Sequence, residues 1–445
     1  MNALPNPCTS TPIIEWSDLD ERARDAVLAR PAQLADPARS DAVRAIIADV
    51  RARGDDALRE YSARFDRASL TRFAVSEAEF DAALASLKPE LRGAIERAIE
   101  RIETFHRAQR GKDLICHTAR GVRCEQLLRP IDTVGLYAPA GTAPLPSTVW
   151  MLAVPARVAG CRQIVLATPP RSDGSADPTI LAAARLCGVD QVFKIGGAQA
   201  IAALACGTQS VPRCAKLFGP GNAWVTAAKL EVAADPQGAA VDLPAGPSEV
   251  LVIADEAADP DFIAADLLAQ AEHGSDSQVL LVSPNADLLD GVAHAIARQV
   301  TSLPRNAIAR EALAHARLIR VADLAQAIAV SERYAPEHLI VNVRDPRRWL
   351  PRLSNAGSIF LGAWSPETVG DYCAGPNHVL PTLGFARAFG GVGVDSFMRR
   401  VYVQELNADG LREVGPDAAL LARAEGLEAH ARAVDLRLAA LDRAP

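Results

Sequence analysis

Residues 132–140 read DTVGLYAPA, and the reading of this stretch decides the fold. The apolar run from Thr133 to Tyr137 is short and is closed by Pro139, which is the pattern of a strand that ends in a turn. QIVLATPP (163–170), QVFKIGG (191–197) and AKLFGPG (215–221) repeat it downstream. Between them TILAAARLCGV, AQAIAALACG and NAWVTAAKLEVA read as helices. Strands alternating with helices at this spacing predict an α/β fold with a parallel, helix-flanked sheet. A second series follows from SEVLVIAD (248–255) through SQVLLVS, LLDGVAHAIARQV, RLIRV, ADLAQAIAVSERYA and HLIVNV to GSIFLG (357–362). Neither series holds a GxGxxG or GxxxxGK[ST] string. FGPGNAW and the GGAQA after QVFKI are tight strand-to-helix turns that can approach a ligand, or that serve only the fold.

Outward from this centre the chain changes character twice. From Glu21 to Gln109 it is helical in pattern and rich in Ala, Arg and Glu, with His106 on a helix face. ICHTARGVRCEQLLRP (115–130), which holds His117, is strand-like, and GPDAALLARAEGLEAHARAVDLRLAALDRAP (415–445) is a charged helical terminus. At 445 residues the chain exceeds the size at which one core stops growing, so two or more domains are expected.

Composition narrows the function. Hydrophobic residues make up 49%, aromatics only 5%, and the net charge is -7 with no basic run interleaved with aromatics, so nucleic acid is not an expected partner. The eight cysteines form no CxxC pair, and several lie in apolar surroundings typical of reduced thiols. The N-terminus lacks the basic start and long apolar core of a signal peptide, and LPSTVWMLAVPARVAG (145–160) is broken by prolines and too short for a membrane span. A cytoplasmic protein with no membrane role is expected.

Four segments carry chemistry. ADPDFIAADLLAQAEHG (258–274) reads as a helix capped by Asp259, opened by Pro260 and closed by Gly274. Gln270 and His273, three apart, share its last face at an end whose partial negative charge favours a cation. A protonated histidine, or hydrogen bonds to the last carbonyls, would satisfy that end as a metal would. RYAPEHLIV sets Glu337 beside His338 after Pro336, which disfavours helix at Ala335. Neighbours in a straight strand face opposite ways, so both serve one site only if the backbone turns there. ETVGDYCAGPNHVLPT (367–382) reads as a loop with Asp371 and His378. ARAEGLEAHARAV (422–434) holds Glu425 and His430, which on a regular helix lie about 140° apart and face one site only if Gly426 interrupts it. Gln270, His273, Asp371 and His430 are oxygen and imidazole donors that suit zinc or a similar divalent metal. Their spacing is not a compact motif such as HExxH and does not establish convergence.

Together these segments resemble the L-histidinol dehydrogenase family. The matching strings include VGLYAPAG, FKIGGAQAIAALACGT, FGPGNAWVTAAK, AGPSEVLVIAD, DLLAQAEHGSDSQ, YAPEHL, GDYCAGPNHVLPT and AEGLEAHARAV, in family order from about Val134 to the C-terminus. The resemblance implies oxidation of L-histidinol to L-histidine by two hydride transfers to NAD through L-histidinaldehyde. It implies one zinc per subunit on Gln270, His273, Asp371 and His430, the last from the other chain of a homodimer. His338 resembles the general base and Glu337 the residue that activates water on the aldehyde. Ser248, Gln270, His273, His338, Asp371, His378 and Glu425 with His430 match substrate contacts, Glu425 again across the dimer, while Tyr137, Gln199 and Asn222 match NAD contacts. Gly390 stands where the family more usually has serine, and PAGTAPLPS departs in small residues.

The expected architecture is two Rossmann-like units without the GxGxxG fingerprint, a helical N-terminal region and a helical tail. Its boundaries are an arm at 1–25, one unit of 26–136 plus 247–388, a second of 137–246, and a tail of 389–445 swapped in the dimer. Two other readings stand beside this one: a paralogue acting on another polar alcohol such as a sulfonated diol, and a catalytically silent metal- or ligand-binding protein. Retention of Ser248, His378, Glu425 and His430 argues against the first, and the Glu337–His338 pair against the second.

Overall fold

The structure, a computed structural model, describes residues 12–31, 37–140, 144–244 and 246–443. Part of the 1–25 arm, Cys8 and three residues of the PAGTAPLPS loop lie outside the described residues. Two parallel sheets dominate. In one, Gln191–Lys194, Gln163–Thr168, Thr133–Tyr137, Lys216–Phe218 and Ala240–Val241 lie side by side in that order. In the other the order is Ile13–Glu15, Arg317–Arg320, Gln278–Ser283, Glu249–Ala254, His338–Asn342 and Ser358–Leu361. Numbered along the chain, each unit has strand order 3-2-1-4-5, with Ile13–Glu15 added at the edge of the larger sheet. This is the Rossmann order, in which the sequence turns back on itself between the first and fourth strands.

Helices cover both faces of each sheet, which is why the central strands EVLVIA and QVLLVS are buried at every position rather than alternating. The apolar segment around Trp150 forms the helix Ser147–Ala159, enclosed in protein with Pro155 inside it. Among the described residues no helix is long and apolar enough to cross a membrane. The helices Pro37–Arg53, Glu77–Ser86 and Pro89–Ala108 pack on the helices of the five-stranded unit. In the last of these Ile95, Ile99, Ile102 and His106 recur at helical spacing and are buried, with His106 Nδ1 2.8 Å from the Ile102 carbonyl. Leu114–Ala119, Val122–Pro130 and Met398–Leu406 form a separate antiparallel sheet, from which the tail helices Ala408–Ala424 and Glu428–Leu441 continue. The seven described cysteines are unpaired.

Local differences from the sequence reading fall near the site. The helix after Asp259 is Pro260–Ala271, its N-cap carboxylate accepting from the Asp261 N–H as the sequence predicts, but Glu272 rather than Gly274 ends it. The segment read as a loop from Glu367 opens with a helix, Glu367–Tyr372. Ala335 closes the helix Leu324–Tyr334 in a left-handed conformation, φ 54°, and the strand begins at His338.

Gly357 lies where that turn meets the neighbouring strand. Its N–H donates to the Pro336 carbonyl at 3.0 Å, and a Cβ there would stand 2.6 Å from the Glu337 carbonyl oxygen. Gly357→Ala is expected to cost about 1–3 kcal/mol, since the obstacle is backbone. At Gly390 nothing lies within 4 Å of an added Cβ, so Gly390→Ser is expected to be neutral. Urea unfolding of the two variants checks this, and equal midpoints would remove the packing argument.

Candidate active site

The two sheets meet with opposite edges. The five-stranded sheet presents its carboxyl ends: Tyr137 closes one strand, Gln199 sits in the first turn of Gly197–Cys206, and Asn222 caps Ala223–Ala234. The six-stranded sheet presents its amino ends. Ser248 precedes the strand Glu249–Ala254, His273 lies in the turn before Gln278–Ser283, and Glu337 immediately precedes the strand that opens with His338. Ligands of open parallel sheets usually sit beyond the carboxyl ends of the strands, and here only the five-stranded sheet places its candidate residues on that edge. At the carboxyl side of the larger sheet, Asp255 already accepts from the Arg344 and Ala257 N–H groups, at 2.9 and 3.0 Å.

At the amino edge the strands Glu249–Ala254 and His338–Asn342 pair with His338 opposite Val250. The Glu249 carbonyl is 3.1 Å from His338 Nδ1, and the Glu249 N–H donates to Glu337 Oε2 at 2.9 Å. A carbonyl can only accept, so Nδ1 carries the proton and Nε2 the lone pair. Nε2 is buried, has no hydrogen-bond partner, and lies 3.6 Å from Asp371 Oδ1. On the Nδ1 side stand Glu337 Oε2 and Glu367 Oε1, each at 3.6 Å. Gln270 is fully buried beside them, and against an ionised Glu367 its amide is satisfied when Nε2 faces that carboxylate, 3.2 Å from Oε2. His378 Nδ1 lies 2.9 Å from the Asp371 carbonyl.

Charge is unbalanced in this cluster. Among the described residues no arginine or lysine forms an ion pair with Glu337, Glu367 or Asp371, whereas the neighbouring buried Glu249 carboxylate is gripped by Arg30 at 2.5 and 2.9 Å. Burial, then the charges of Asp371, Glu337 and Asp266, pushes the Glu367 carboxyl well above the ordinary range. Burial raises Glu337 likewise, against the hydrogen bond from Glu249, and raises Asp371 and Asp266. The imidazoles move the other way: burial, then the repulsion of His273 and His378, lowers His338 to about 3, and burial lowers His378 to about 4. His273 is open to solvent at the cavity yet surrounded by protein, and is lowered by desolvation and then by the charge of Arg305. Carboxylate, amide and imidazole donors around an orphaned ring nitrogen fit a divalent cation. His338, Glu367 and Asp371 alone offer three donor atoms within 4.8 Å of one another.

A cavity of about 790 Å³ runs from His273 and Ser248, beside this cluster, to the other sheet. His273, Ser248 and Arg305 line one end, Tyr137, Gln199 and Asn222 another part, with Phe65 and Trp224 supplying aromatic wall. The volume is that of a small-molecule or cofactor site. Tyr137 Oη accepts from the Gly197 N–H at 3.1 Å, and the Asn222 side chain caps its helix by accepting from the Trp224 and Val225 N–H groups. Gly219 in FGPGN has φ 126°, and a Cβ there would lie 2.3 Å from the Tyr137 carbonyl oxygen, so this turn is glycine for a backbone reason as well.

The structure thus brings Gln270, Glu337, His338, Asp371 and His378 together, with His273 and Ser248 on the cavity that leads to the proposed cofactor contacts. It does not bring in Glu425 or His430 of the same chain. Gly426, at φ 77°, does break the tail helix as the sequence reading required, but both residues are exposed there and neither lines the cavity. Two neighbours escaped the sequence reading. Asp266 sits one turn before Gln270 and Glu367 one turn before Asp371, so helical spacing could have found the first, and the Pro-Glu helix start at 366–367 the second.

A family model described as Histidinol dehydrogenase matches residues 29–438. Histidinol dehydrogenase from Xanthomonas euvesicatoria pv. vesicatoria (strain 85-10) is 59% identical over 426 residues, 96% of this chain and 99% of that protein. The one from Photobacterium profundum is 53% identical, over 96% of this chain and 95% of that protein. The crystal structure of histidinol dehydrogenase from Elizabethkingia anophelis superposes with a TM-score of 0.93 at 43% identity, covering 98% of this chain and 99% of that one. With its site built on the same full-length framework, the chain belongs to the histidinol dehydrogenase family.

Proposed function

We propose that the protein oxidises L-histidinol to L-histidine through L-histidinaldehyde, using NAD and one zinc ion per subunit. The observation that carries this reading is the neutral His338, whose unpartnered Nε2 stands in a buried donor cluster beside a cavity long enough to reach the other sheet. Going from alcohol to acid removes four electrons and consumes one water, and NAD would accept one hydride in each of two steps. Zinc on Gln270, His273, Asp371 and His430 of the partner subunit would offer open positions to the amine and imidazole nitrogens of histidinol and so orient it.

The chain's own groups do the rest. His338 Nε2 takes the hydroxyl proton as hydride leaves the carbinol carbon, because Glu249 already holds the proton of Nδ1. Glu337, raised by burial, removes a proton from the water that adds to the aldehyde, giving the hydrate from which the second hydride leaves. Ser248 and His378, with Glu425 of the partner subunit, position the substrate, and Tyr137, Gln199 and Asn222 hold the dinucleotide. The tail supports a homodimer in which it crosses over, since Leu420, Leu421 and Leu436 are 68%, 66% and 58% exposed beside the outlying His430 and Glu425.

Zinc-loaded protein should form two NADH per L-histidinol, lose this on chelation and regain it with zinc; a ratio of one would mean release at the aldehyde. His338→Asn should lower both oxidations by about 10²–10⁴-fold while retaining zinc. Glu337→Gln should spare aldehyde formation more than its oxidation, and equal loss of both steps would remove the water-activating role. Sharing of sites is checked by mixing: His338→Asn and His430→Ala homodimers should each be inactive, whereas co-expressed heterodimers should recover activity in one of their two sites. Heterodimers as inactive as the parents would put His430 in its own chain's site.

A further inference from the structure

Glu367 has no role in the reading above, yet its placement is specific. It is 2% exposed, lies at the start of the helix that carries Asp371 one turn on, and has both carboxylate oxygens facing the amide nitrogen of the fully buried Gln270. We infer that Glu367 is a positioning residue that fixes the Gln270 amide with its nitrogen turned inward and its oxygen free for the cation. This inference rests on the zinc reading proposed above.

The need follows from the ligand type. An amide presents oxygen or nitrogen by a half-turn of its last torsion, and only the oxygen has a lone pair to give a cation. A histidine ligand solves the same problem by donating its second nitrogen to a fixed acceptor, and loss of such a partner typically weakens metal binding by about 10–100-fold. One Glu367 donor atom lies within 4.8 Å of those of His338 and Asp371, but both of its oxygens face the Gln270 amide nitrogen, and that contact is the role inferred for it. The two carboxylates lie on different sides of the His338 ring, Asp371 by the unpartnered Nε2 and Glu367 by Nδ1. At 3.6 Å from Nδ1, whose proton goes to the Glu249 carbonyl, Glu367 keeps its acceptor capacity for Gln270.

The test is zinc affinity of the full-length protein, by competition with a chromogenic chelator, alongside the thermal midpoint of the metal-free form. Glu367→Gln should weaken zinc binding by about 10–100-fold without lowering the metal-free midpoint. In a Gln270→Ala background the same replacement should change affinity little, because the partner is gone. The exchange Gln270→Glu with Glu367→Gln should restore binding, since a carboxylate at 270 needs no orienting and an amide at 367 can donate to it. Unchanged affinity in Glu367→Gln, an equal loss without Gln270, or an exchange that rescues nothing would each overturn the inference. A loss of zinc accompanied by a lower metal-free midpoint would also overturn it in favour of a packing role. Failure of the unaltered protein to bind zinc would instead overturn the metal reading, and this inference with it.

Discussion

The parallel pairing of Glu249–Ala254 with His338–Asn342 is the constraint on which the rest of the site depends. It sets one backbone residue, Glu249, against two side chains of the candidate site: its carbonyl fixes the proton on His338 and its N–H binds Glu337. A shift of register by one residue would reverse the faces of the strand and replace both contacts. The pairing is itself secured from outside, because the Glu249 side chain is held by Arg30, which also donates to the Tyr334 carbonyl and stacks over the Tyr334 ring at 4.0 Å. The end of the preceding helix, the start of the strand and the imidazole tautomer are thereby linked through one ion pair. Because backbone rather than mobile side chains fixes the His338 ring, its geometry is as rigid as the sheet.

The use of opposite sheet edges explains how a site can hold both a buried polar cluster and a roomy cavity. Carboxyl ends of parallel strands lead into helix N-termini, as at Gly197 and Ala223, where partial positive charge suits a phosphate-bearing ligand. Amino ends receive helix C-termini, as at Ala271, where partial negative charge suits a cation. Facing one edge with the other puts a favourable field for each kind of ligand on its own side of one cavity. Either sheet alone, in the same strand order, supplies only one of these fields at any one edge.

How much of this was legible in the sequence varied with the physics behind each feature. The strands were legible because two-sided burial makes them continuous apolar runs, and the Asp259-Pro260 helix start because capping is local. The break at Gly426 was legible as a condition, since only an interruption there could change the relative facing of Glu425 and His430. The helix Glu367–Tyr372 was not, because Gly370 within it and Gly375-Pro376 after it carry loop composition, while Phe360 fills the space at Gly370 that a side chain would need. The convergence of Glu337 and His338 was left open by strand alternation. It arises because Ala335 is left-handed and the strand starts at His338, so Glu337 is not bound by the alternation. The use of amino ends was hidden, since it depends on how two sheets face each other and no local pattern encodes that.

The distribution of buried charge carries the argument one step further. Elsewhere the fold pairs what it buries: Lys229 with Asp242, Lys194 with Glu79, Arg30 with Glu249, while Asp55 accepts from Ser210 and Thr208. Glu337, Glu367 and Asp371 lie together with no arginine or lysine partner among the described residues. Removing a carboxylate from water costs several kcal/mol unless a positive charge compensates it or it takes up a proton. In the protein alone the proton is the available remedy, which is why these carboxyls shift upward while the imidazoles among them shift downward. A cation reverses both tendencies together, drawing the acids to their charged form and keeping the imidazoles neutral as lone-pair donors. The cluster is therefore costly as uncompensated charge and coherent as a candidate cation site.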